Sequence, residues 1–465
     1  MANQASKSNP TIDRILPIDE RITARGGLAW FARYLKSIEL DKLVQRWLGS
    51  LRKSGKGAPI VDLVEQILCF FVEGTHLHVS HFDELAGQPG YAGLLEKTTG
   101  QLVSSHTVKR FFKSFSFVRI WWCRRLLQQL FIWRLRLEQP ELIQLDIDVM
   151  GMDNDQAEAR EGVAPTYKGY AGFAPLQMSW GPYYVDAVFR GGDKHSLHGQ
   201  SVPEMVRHIV GRIRSGYRAD VPIVITHDAG FFCEELMECY EQLQIGYLIG
   251  GRSYKQVKQA AAAMPDEALY EQAEGDGQWQ WTQWGDRRAS WSRFRRVIYA
   301  RKTRESNGQG VLACDDFGQV IYTNLGMHTE ISRQLTAVKG PEATNGEALL
   351  ARYHRRGEAE RNHRALKAFG TEQLPFQDFT ANAAFYYHML VAFTLCEAFK
   401  TDYAPEALPA RCYAQRFRRQ FMDIPVKVVD TSGERRLRVS RPAYERLHLK
   451  RLWQLITQAV PIPVP

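Results

Sequence analysis

The first third of the chain repeats apolar residues at steps of three and four. This spacing predicts amphipathic helices, because apolar side chains at those steps fall on one face of a helix. Segments with the pattern are 28–38, 40–48, 60–74 and 104–115. The last of these begins with Ser and Thr residues, which are typical helix start signals. The pattern therefore predicts an N-terminal all-helical domain, which we place at residues 1–138.

After that domain the pattern changes, and apolar and polar positions alternate along residues 143–150. The two-residue period predicts a strand with Asp146 and Asp148 on the same face, about 7 Å apart. A further strand-like segment follows at 176–192. Strands that alternate with helical segments indicate an α/β core. We place the first part of this core at residues 139–252.

A second strand of the predicted core ends in a turn that carries another acid. Residues 222–226 are a short apolar run, 227-HDAG-230 has the composition of a turn, and 233–243 is helical in pattern. Residues 245–252 read as the next strand. Asp228 therefore lies just past the carboxyl end of a buried strand, where α/β sheets place ligand-binding groups.

The alternation of strands and helices stops between residues 253 and 345. Segments 279–302 and 319–325 are strand-like and rich in Trp, Tyr and Arg. We interpret 253–345 as a β-rich insertion domain within the core. Its basic and aromatic side chains, among them Arg288 and Trp291, predict a DNA-facing surface, whereas packing of a small β domain is the structural alternative for each tryptophan.

Segment 349–367 has the pattern of one continuous helix. Tyr353, Arg356, Glu360 and Lys367 are separated by three, four and seven residues. At about 100° per residue they fall within an arc of roughly 60°. A carboxylate flanked by an aromatic ring and two cations suits a site that holds a metal ion and grips phosphates. The alternative is a solvated basic helix.

The chain closes with an apolar helix and a basic region. Segment 381–400 has the pattern of a long apolar helix, and it completes the second part of the core, which we place at 346–400. Residues 401–465 form a basic C-terminal region with many arginines.

The charge of the chain favours a polyanionic partner. The 465 residues carry a net charge of +9, and nucleic acid is the first candidate for such a protein. Lys109 and Arg110, on the predicted basic helix 104–115, are candidate phosphate contacts. A packing helix with a solvated basic edge explains the same residues equally well.

The remaining composition points to a soluble protein of a reducing compartment. The seven cysteines are scattered and form no CxxC pair, which argues against a disulfide framework and a zinc–thiolate site. The aromatic-rich segment 118–137 contains five arginines, so we expect an amphipathic or interdomain helix there and no membrane span.

The acids singled out by position fit the chemistry of a hard cation. Mg²⁺ takes oxygen ligands, often one or two carboxylates together with water and substrate phosphates. Two such ions about 3.5–4 Å apart can support phosphoryl transfer. Most single acids in a protein of this size only solvate the surface or cap helices, so the local contexts of these residues carry the prediction.

Several of these segments resemble one known family. The pattern Y-x2-R-x3-E-x6-K over residues 353–367, the turn 227-HDAGFFCEEL-236 and the strand 145-LDIDVM-150 are similar to those of the DDE transposases of bacterial insertion sequences. The strand 322-YTNL-325 resembles the one that returns to the core after their β-strand insertion. The resemblance covers roughly residues 27–400 and implies an RNase H-like catalytic core.

The resemblance also implies an activity and its residues. Asp148, Asp228 and Glu360 would be catalytic and would hold two Mg²⁺ ions, with Mn²⁺ as a substitute. The enzyme would bind terminal inverted repeats, cut DNA at the transposon ends and join the freed 3′-hydroxyl to target DNA. Tyr353, Arg356 and Lys367 would grip this double-stranded DNA. A homodimer on DNA is implied, in the bacterial cytoplasm at the nucleoid.

Alternatives remain open for the site and for the activity. Asp146 is the rival for the first acid, because it shares a face with Asp148; the family often has Ser or Thr after its first Asp, whereas Val149 follows here. In related transposases a Trp stacks on a flipped base, and the candidates are Trp279, Trp281, Trp284 and Trp291. The alternative functions are an RNase H-like nuclease or resolvase without strand transfer, and a transposase-derived DNA-binding protein without catalysis.

Overall fold

The fold begins with a helical layer. A computed structural model of the chain describes residues 12, 14–51, 57–274, 277–304, 318–403, 408 and 412–465. The predicted N-terminal helices are present within one or two residues of their expected ends. After the short strand β1 (Ile22–Thr23), the helices are α1 (Leu28–Ser37), α2 (Leu40–Leu48), α3 (Ile60–Glu73), α4 (His81–Ala86), α5 (Pro89–Leu94), α6 (Ser105–Lys113) and α7 (Phe117–Glu138).

A nine-stranded mixed sheet forms the centre of the molecule. The strands that follow α7 are β2 (Ile143–Val149), β3 (Met152–Asp153), β4 (Ala164–Pro165), β5 (Ala171–Phe173), β6 (Leu176–Trp180), β7 (Tyr183–Val188), β8 (Ile223–His227), β9 (Gly246–Gly251), β10 (Tyr270–Glu274), β11 (Gly277–Asp286), β12 (Arg295–Arg304) and β13 (Gln319–Thr323). The order in the large sheet is β10-β11-β12-β13-β9-β8-β2-β6-β7, and β3-β5-β4 is a small separate sheet.

Helices cover both faces of the large sheet. The remaining elements are α8 (Ser201–Gly216), α9 (Glu234–Gln242), α10 (Lys255–Ala262), α11 (Glu330–Lys339), α12 (Gly346–His354), α13 (Gly357–Phe369), α14 (Phe379–Tyr403), α15 (Ala414–Phe417), β14 (Val426–Thr431), β15 (Glu434–Val439), α16 (Arg441–Arg446) and α17 (Leu449–Thr457). On one face α8 and α9 share an apolar core with the C-terminal part of α7. On the other face α11 and α12 pack on β8, β9, β12 and β13. The protein is therefore a mixed α/β fold in which the central strands are buried from both sides.

Only the pairs at the centre of the sheet are parallel. β2 pairs with β8 in parallel, and β8 pairs with β9 in parallel. β6 and β7 form an antiparallel hairpin that continues the sheet beyond β2. Every residue of β8 is buried, in agreement with its uniformly apolar sequence up to the final Thr226-His227. The carboxyl ends of β2 and β8 consequently open at the same edge of the sheet.

The strands predicted within 253–345 extend the core sheet. β10, β11, β12 and β13 form consecutive antiparallel pairs, and β13 then pairs with β9. The strand 322-YTNL-325 was expected to return to the core, and residues Tyr322 and Thr323 of β13 do so. These strands share one sheet with β2, β8 and β9. The division of the chain into five domains stays a prediction.

The C-terminal region packs against the N-terminal helices. β14 pairs with β1, and β15 extends the same small sheet. The guanidinium of Arg418 donates to the carbonyls of Phe71 (2.7 Å), Val72 (3.1 Å) and Phe369 (2.7 Å). It thus ties the ends of α3 and α13 to the C-terminal region. One hydrophobic core joins α1–α7, α14 and the C-terminal elements.

The helix α7 lies between the N-terminal layer and the sheet. It packs against α2, α14 and β7. Arg124 of this helix is buried and forms a bidentate pair with the carboxylate of Asp186, at 2.9 and 2.6 Å. Among the helices that the structure describes, none combines the length and apolar character that a membrane span requires.

Candidate active site

Two acids meet where the parallel strands β2 and β8 end. The register pairs Asp146 with Thr226, so continuing it by two residues brings Asp148 beside Asp228. Neighbouring strands lie about 4.8 Å apart. Each carboxylate is fixed locally: Oδ1 of Asp148 accepts from the backbone N–H of Val149, and Oδ1 of Asp228 accepts from that of Gly230, both at 2.8 Å.

The third acid lies on a helix that differs from the expected one. Segment 349–367 is not a single helix: α12 ends at His354, α13 begins at Gly357, and the N–H of Arg356 bonds to the carbonyl of Tyr353 at 2.9 Å. Glycine favours helices least among the non-proline residues, so Gly357 is a suitable place for the break. Glu360 is exposed in the first turns of α13, where a carboxylate is favoured by the helix dipole.

The charges of the other two acids act on Asp148. Burial raises the pKa of Asp148 to about 6, and the neighbouring carboxylates of Asp228 and Glu360 raise it as well. The Val149 N–H and the guanidinium of Arg356 oppose this rise. Asp148 and Asp228 therefore lie side by side, and Glu360 and Arg356 are close enough to act on the charge of Asp148.

Tyr353 packs close to the turn that carries Asp228. Its side chain is buried against the sheet, and a Cβ added at Gly250 would lie only 2.5 Å from its hydroxyl and 2.8 Å from the N atom of Ala229. Gly250 thus leaves the space that Tyr353 and the Asp228 turn occupy. The guanidinium carbon of Arg356 lies 5.8 Å from the ring centre of Tyr353.

Two further residues at the site were not anticipated from the sequence. Nδ1 of His363 lies 4.0 Å from Oδ2 of Asp148, and burial together with nearby cations lowers the pKa of His363 to about 4. Its three-residue spacing from Glu360 was a usable signal, because such residues share a helix face. The hydroxyl of Tyr167 donates to the carbonyl of Val149 at 3.0 Å, and no sequence pattern indicated this.

Asp146 lies in a different environment from Asp148. It is buried and lines a cavity of about 540 Å³ together with Gln144, Arg352 and Arg355. Across the parallel pair it lies beside Thr226.

The remaining predicted DNA contacts are distributed over the molecule. Lys109 and Arg110 are exposed on α6, and Lys367 forms a salt bridge with Glu372 beside the site. Arg288 is enclosed by aromatic rings and donates to the hydroxyl of Tyr322 at 3.3 Å. Trp291 is one of these rings and is only 5% exposed.

The other candidate tryptophans also contact the protein. Trp279 and Trp284 are partly buried against the core. Trp281 is buried and stacks on Tyr270 with ring centres 4.4 Å apart. Trp279 lies at the same distance from the ring of His354. In the described structure these rings, like that of Trp291, already have packing partners.

The donor set suits a hard cation, although the side chains do not yet enclose one. Within the ranges that the structure describes, no three His, Cys, Asp or Glu side chains lie close enough to form a ready-made metal site. The carboxylate oxygens of Asp148, Asp228 and Glu360 are the ligand type that Mg²⁺ prefers. Their mutual repulsion at one edge of the sheet is what a bound cation would relieve.

A comparison with protein families decides the affiliation. The family described as "Transposase DDE domain group 1" matches residues 19–461. The chain belongs to this transposase family. No curated protein matches the sequence. Among solved structures, the cryo-EM synaptic complex of piggyBac transposase with hairpin DNA is similar, with 13% identity, a TM-score of 0.40, and coverage of 96% of this chain and 89% of that one. DDE transposases generally use divalent metal ions.

Proposed function

We propose that this transposase cleaves DNA at transposon ends and joins the freed 3′-hydroxyl to target DNA, with Asp148, Asp228 and Glu360 as its catalytic acids. The observation that carries the proposal is that Asp148 lies beside Asp228 where β2 and β8 end, within electrostatic range of Glu360, in a chain of the DDE family. Phosphoryl transfer requires charge stabilisation and positioning more than covalent chemistry, and this open edge offers both.

The sheet topology supports an RNase H-like core. The five strands β7-β6-β2-β8-β9 lie side by side in this order, with parallel pairs between β2, β8 and β9. We assign the RNase H-like layout to these strands together with α8, α9 and α13. On this assignment β10–β13 are the insertion, which continues the core sheet.

The three carboxylates would hold the divalent ions. When bound, two Mg²⁺ ions would lower the pKa of an attacking water and stabilise charge on the leaving oxygen. The chain supplies the positioning: the Val149 and Gly230 N–H groups fix two of the carboxylates. Arg356 adds a cation that can attract the scissile phosphate.

DNA would lie across a surface that combines Arg356 and Lys367 at the site with Lys109 and Arg110 on α6. Both residues of α6 are exposed, and the net charge of +9 favours a polyanion. We propose that two copies bind two transposon ends, since joining both ends requires their synapsis.

Incubation of the full chain with DNA that carries candidate terminal inverted repeats tests the proposal. In Mg²⁺ we expect cleavage at the repeat ends followed by joining to a target plasmid. Glu360→Gln should abolish both reactions and leave end binding intact. Glu330→Gln, an exposed acid on α11, is the matched control and should remain active.

The outcomes distinguish the alternatives. Cleavage without joining would favour a nuclease or resolvase, and binding without cleavage would favour a DNA-binding protein that has lost catalysis. A fully active Glu360→Gln variant would refute the assignment of the site.

A further inference from the structure

A short loop, residues 166–170 between β4 and β5, lies beside the candidate active site. Its ends are closed by hydrogen bonds from the N–H and Oγ1 of Thr166 to the carbonyl of Tyr170, both at 2.8 Å, and from the N–H of Gly169 to the carbonyl of Thr166 at 3.0 Å. Gly169 has a φ of +86°, which favours glycine. The loop 166–170 is therefore closed by hydrogen bonds to its own backbone.

Tyr167 in this loop is exposed and anchored at the same time. The residue is 66% exposed, yet its hydroxyl donates to the carbonyl of Val149, the residue that follows Asp148. Burial of the hydroxyl raises the pKa of Tyr167 to about 12, with a further contribution from the carboxylate of Asp148. One end of the ring is thus fixed beside the acids while its face remains open to solvent.

A cation accompanies this ring. The ammonium of Lys168 lies 5.7 Å from the ring centre of Tyr167. Its Cδ would lie 3.6 Å from a Cβ added at Gly151, two residues after Val149. The loop consequently presents a flat aromatic face and a positive charge toward the edge of the sheet where the acids gather.

We infer that the loop 166–170 is a nucleotide-holding element, in which Tyr167 stacks on an unpaired base next to the scissile phosphate and Lys168 contacts a neighbouring phosphate. An aromatic ring stacks on any base, because every base has a π-face. Anchoring the hydroxyl reduces the ordering cost of binding. The inference rests on the proposed function. It assigns base stacking to this loop because Tyr167 is exposed, whereas Trp281 and Trp291 are buried.

Binding of two kinds of DNA end tests the inference without any need for cleavage. The full chain in EDTA is titrated with a fully paired transposon end and with the same end whose bases at the cleavage site are mismatched. Wild type should prefer the unpaired end, because no base pair has to open before stacking. Tyr167→Ala should reduce that preference roughly 5- to 100-fold, the effect of removing one stacked aromatic residue.

Three further variants keep the result interpretable. Tyr167→Trp retains a stacking face and should preserve the preference, whereas Tyr167→Leu keeps an apolar side chain without a ring and should lose it. Tyr444→Ala removes an exposed tyrosine on α16 and should change neither affinity.

Equal preference in wild type, Tyr167→Leu and Tyr167→Ala would overturn the inference, and so would a wild type without any preference. If the wild type prefers unpaired ends in EDTA but cleaves neither end in Mg²⁺, the proposed function fails while the base-holding role of the loop stands.

Discussion

Asp148 on β2 should destabilise the folded protein when no metal is bound. The pKa of Asp148 is raised from its ordinary value of 3.8 to about 6 by burial and by the carboxylates of Asp228 and Glu360. At about 1.36 kcal/mol for each tenfold change in acidity, ionising this group in the folded protein costs about 3 kcal/mol more than in the unfolded chain. Asp148→Asn removes the charge and keeps an acceptor for the Val149 N–H.

The direction of the pH dependence follows from the raised pKa. Between about pH 4 and pH 6 the folded protein retains a proton that the unfolded chain has lost, so stability falls as the pH rises through that window. The full penalty applies above about pH 6. At pH 7.5 in EDTA we expect Asp148→Asn to be more stable by up to about 3 kcal/mol. At about 2.1 cal/mol/K of unfolding entropy per residue, this raises the Tm by about 3 °C.

Thermal unfolding followed by circular dichroism, with and without Mg²⁺, provides the assay. At pH 3, which is about one unit below the ordinary pKa, wild type and Asp148→Asn should unfold at nearly the same temperature, because Asp148 is then largely protonated in both states. If Asp148 is a ligand, saturating Mg²⁺ should stabilise the wild type more than the variant, since a ligand that binds the folded state stabilises it according to its affinity. An Asp148→Asn variant that is no more stable than wild type at pH 7.5 in EDTA would refute the reasoning.

Three other predictions concern packing, the interior ion pair and DNA. Gly250→Ala should lower the free energy of unfolding by about 1–3 kcal/mol through overpacking, and it should reduce DNA cleavage by displacing Tyr353 and the Asp228 turn. Gly211→Ala, whose added Cβ meets nothing within 4 Å, is the control and should do neither. Unchanged melting and cleavage for Gly250→Ala would contradict the packing. Arg124→Met should lower the free energy of unfolding in urea by about 3–5 kcal/mol, because it leaves a buried carboxylate without its bidentate partner, and a loss below about 1 kcal/mol would contradict this. DNA affinity should fall steeply with salt, as expected from many phosphate contacts, and a flat dependence between 50 and 200 mM, about the range over which such contacts lose affinity, would exclude them.

Local patterns in the sequence were sufficient to predict most helices and strands of the core. The alternation in residues 143–150 predicted β2, and the apolar run at 222–226 followed by a turn predicted β8 with Asp228 just beyond it. These signals are local, because the apolar period of a strand or a helix can be read from a short stretch of neighbouring residues. The placement of Asp148 beside Asp228 then needs only the parallel register of two adjacent strands.

The continuity of segment 349–367 was predicted wrongly, because apolar and charged periodicity continue across a helix break when the two pieces stay nearly in phase. The break at Arg355–Arg356 separates α12, which contacts β12, from α13, which contacts β2. The extension of the core sheet by β10–β13 and the pairing of β14 with β1 depend on contacts between residues that are distant in sequence. Periodicity carries no information about such pairings.

The broken helix gives the residues of the 353–367 signature separate physical roles. Tyr353, at the end of α12, is buried over Gly250 and supports the turn that holds Asp228. Arg356, in the break, lies beside the Tyr353 ring and lowers the pKa of Asp148. Glu360, on α13, is exposed at the edge of the site. The fixed spacing of these residues therefore couples the packing of Tyr353 on the sheet to the position of Glu360 on the next helix. One short segment thus connects β2, β8 and β9 at the candidate site.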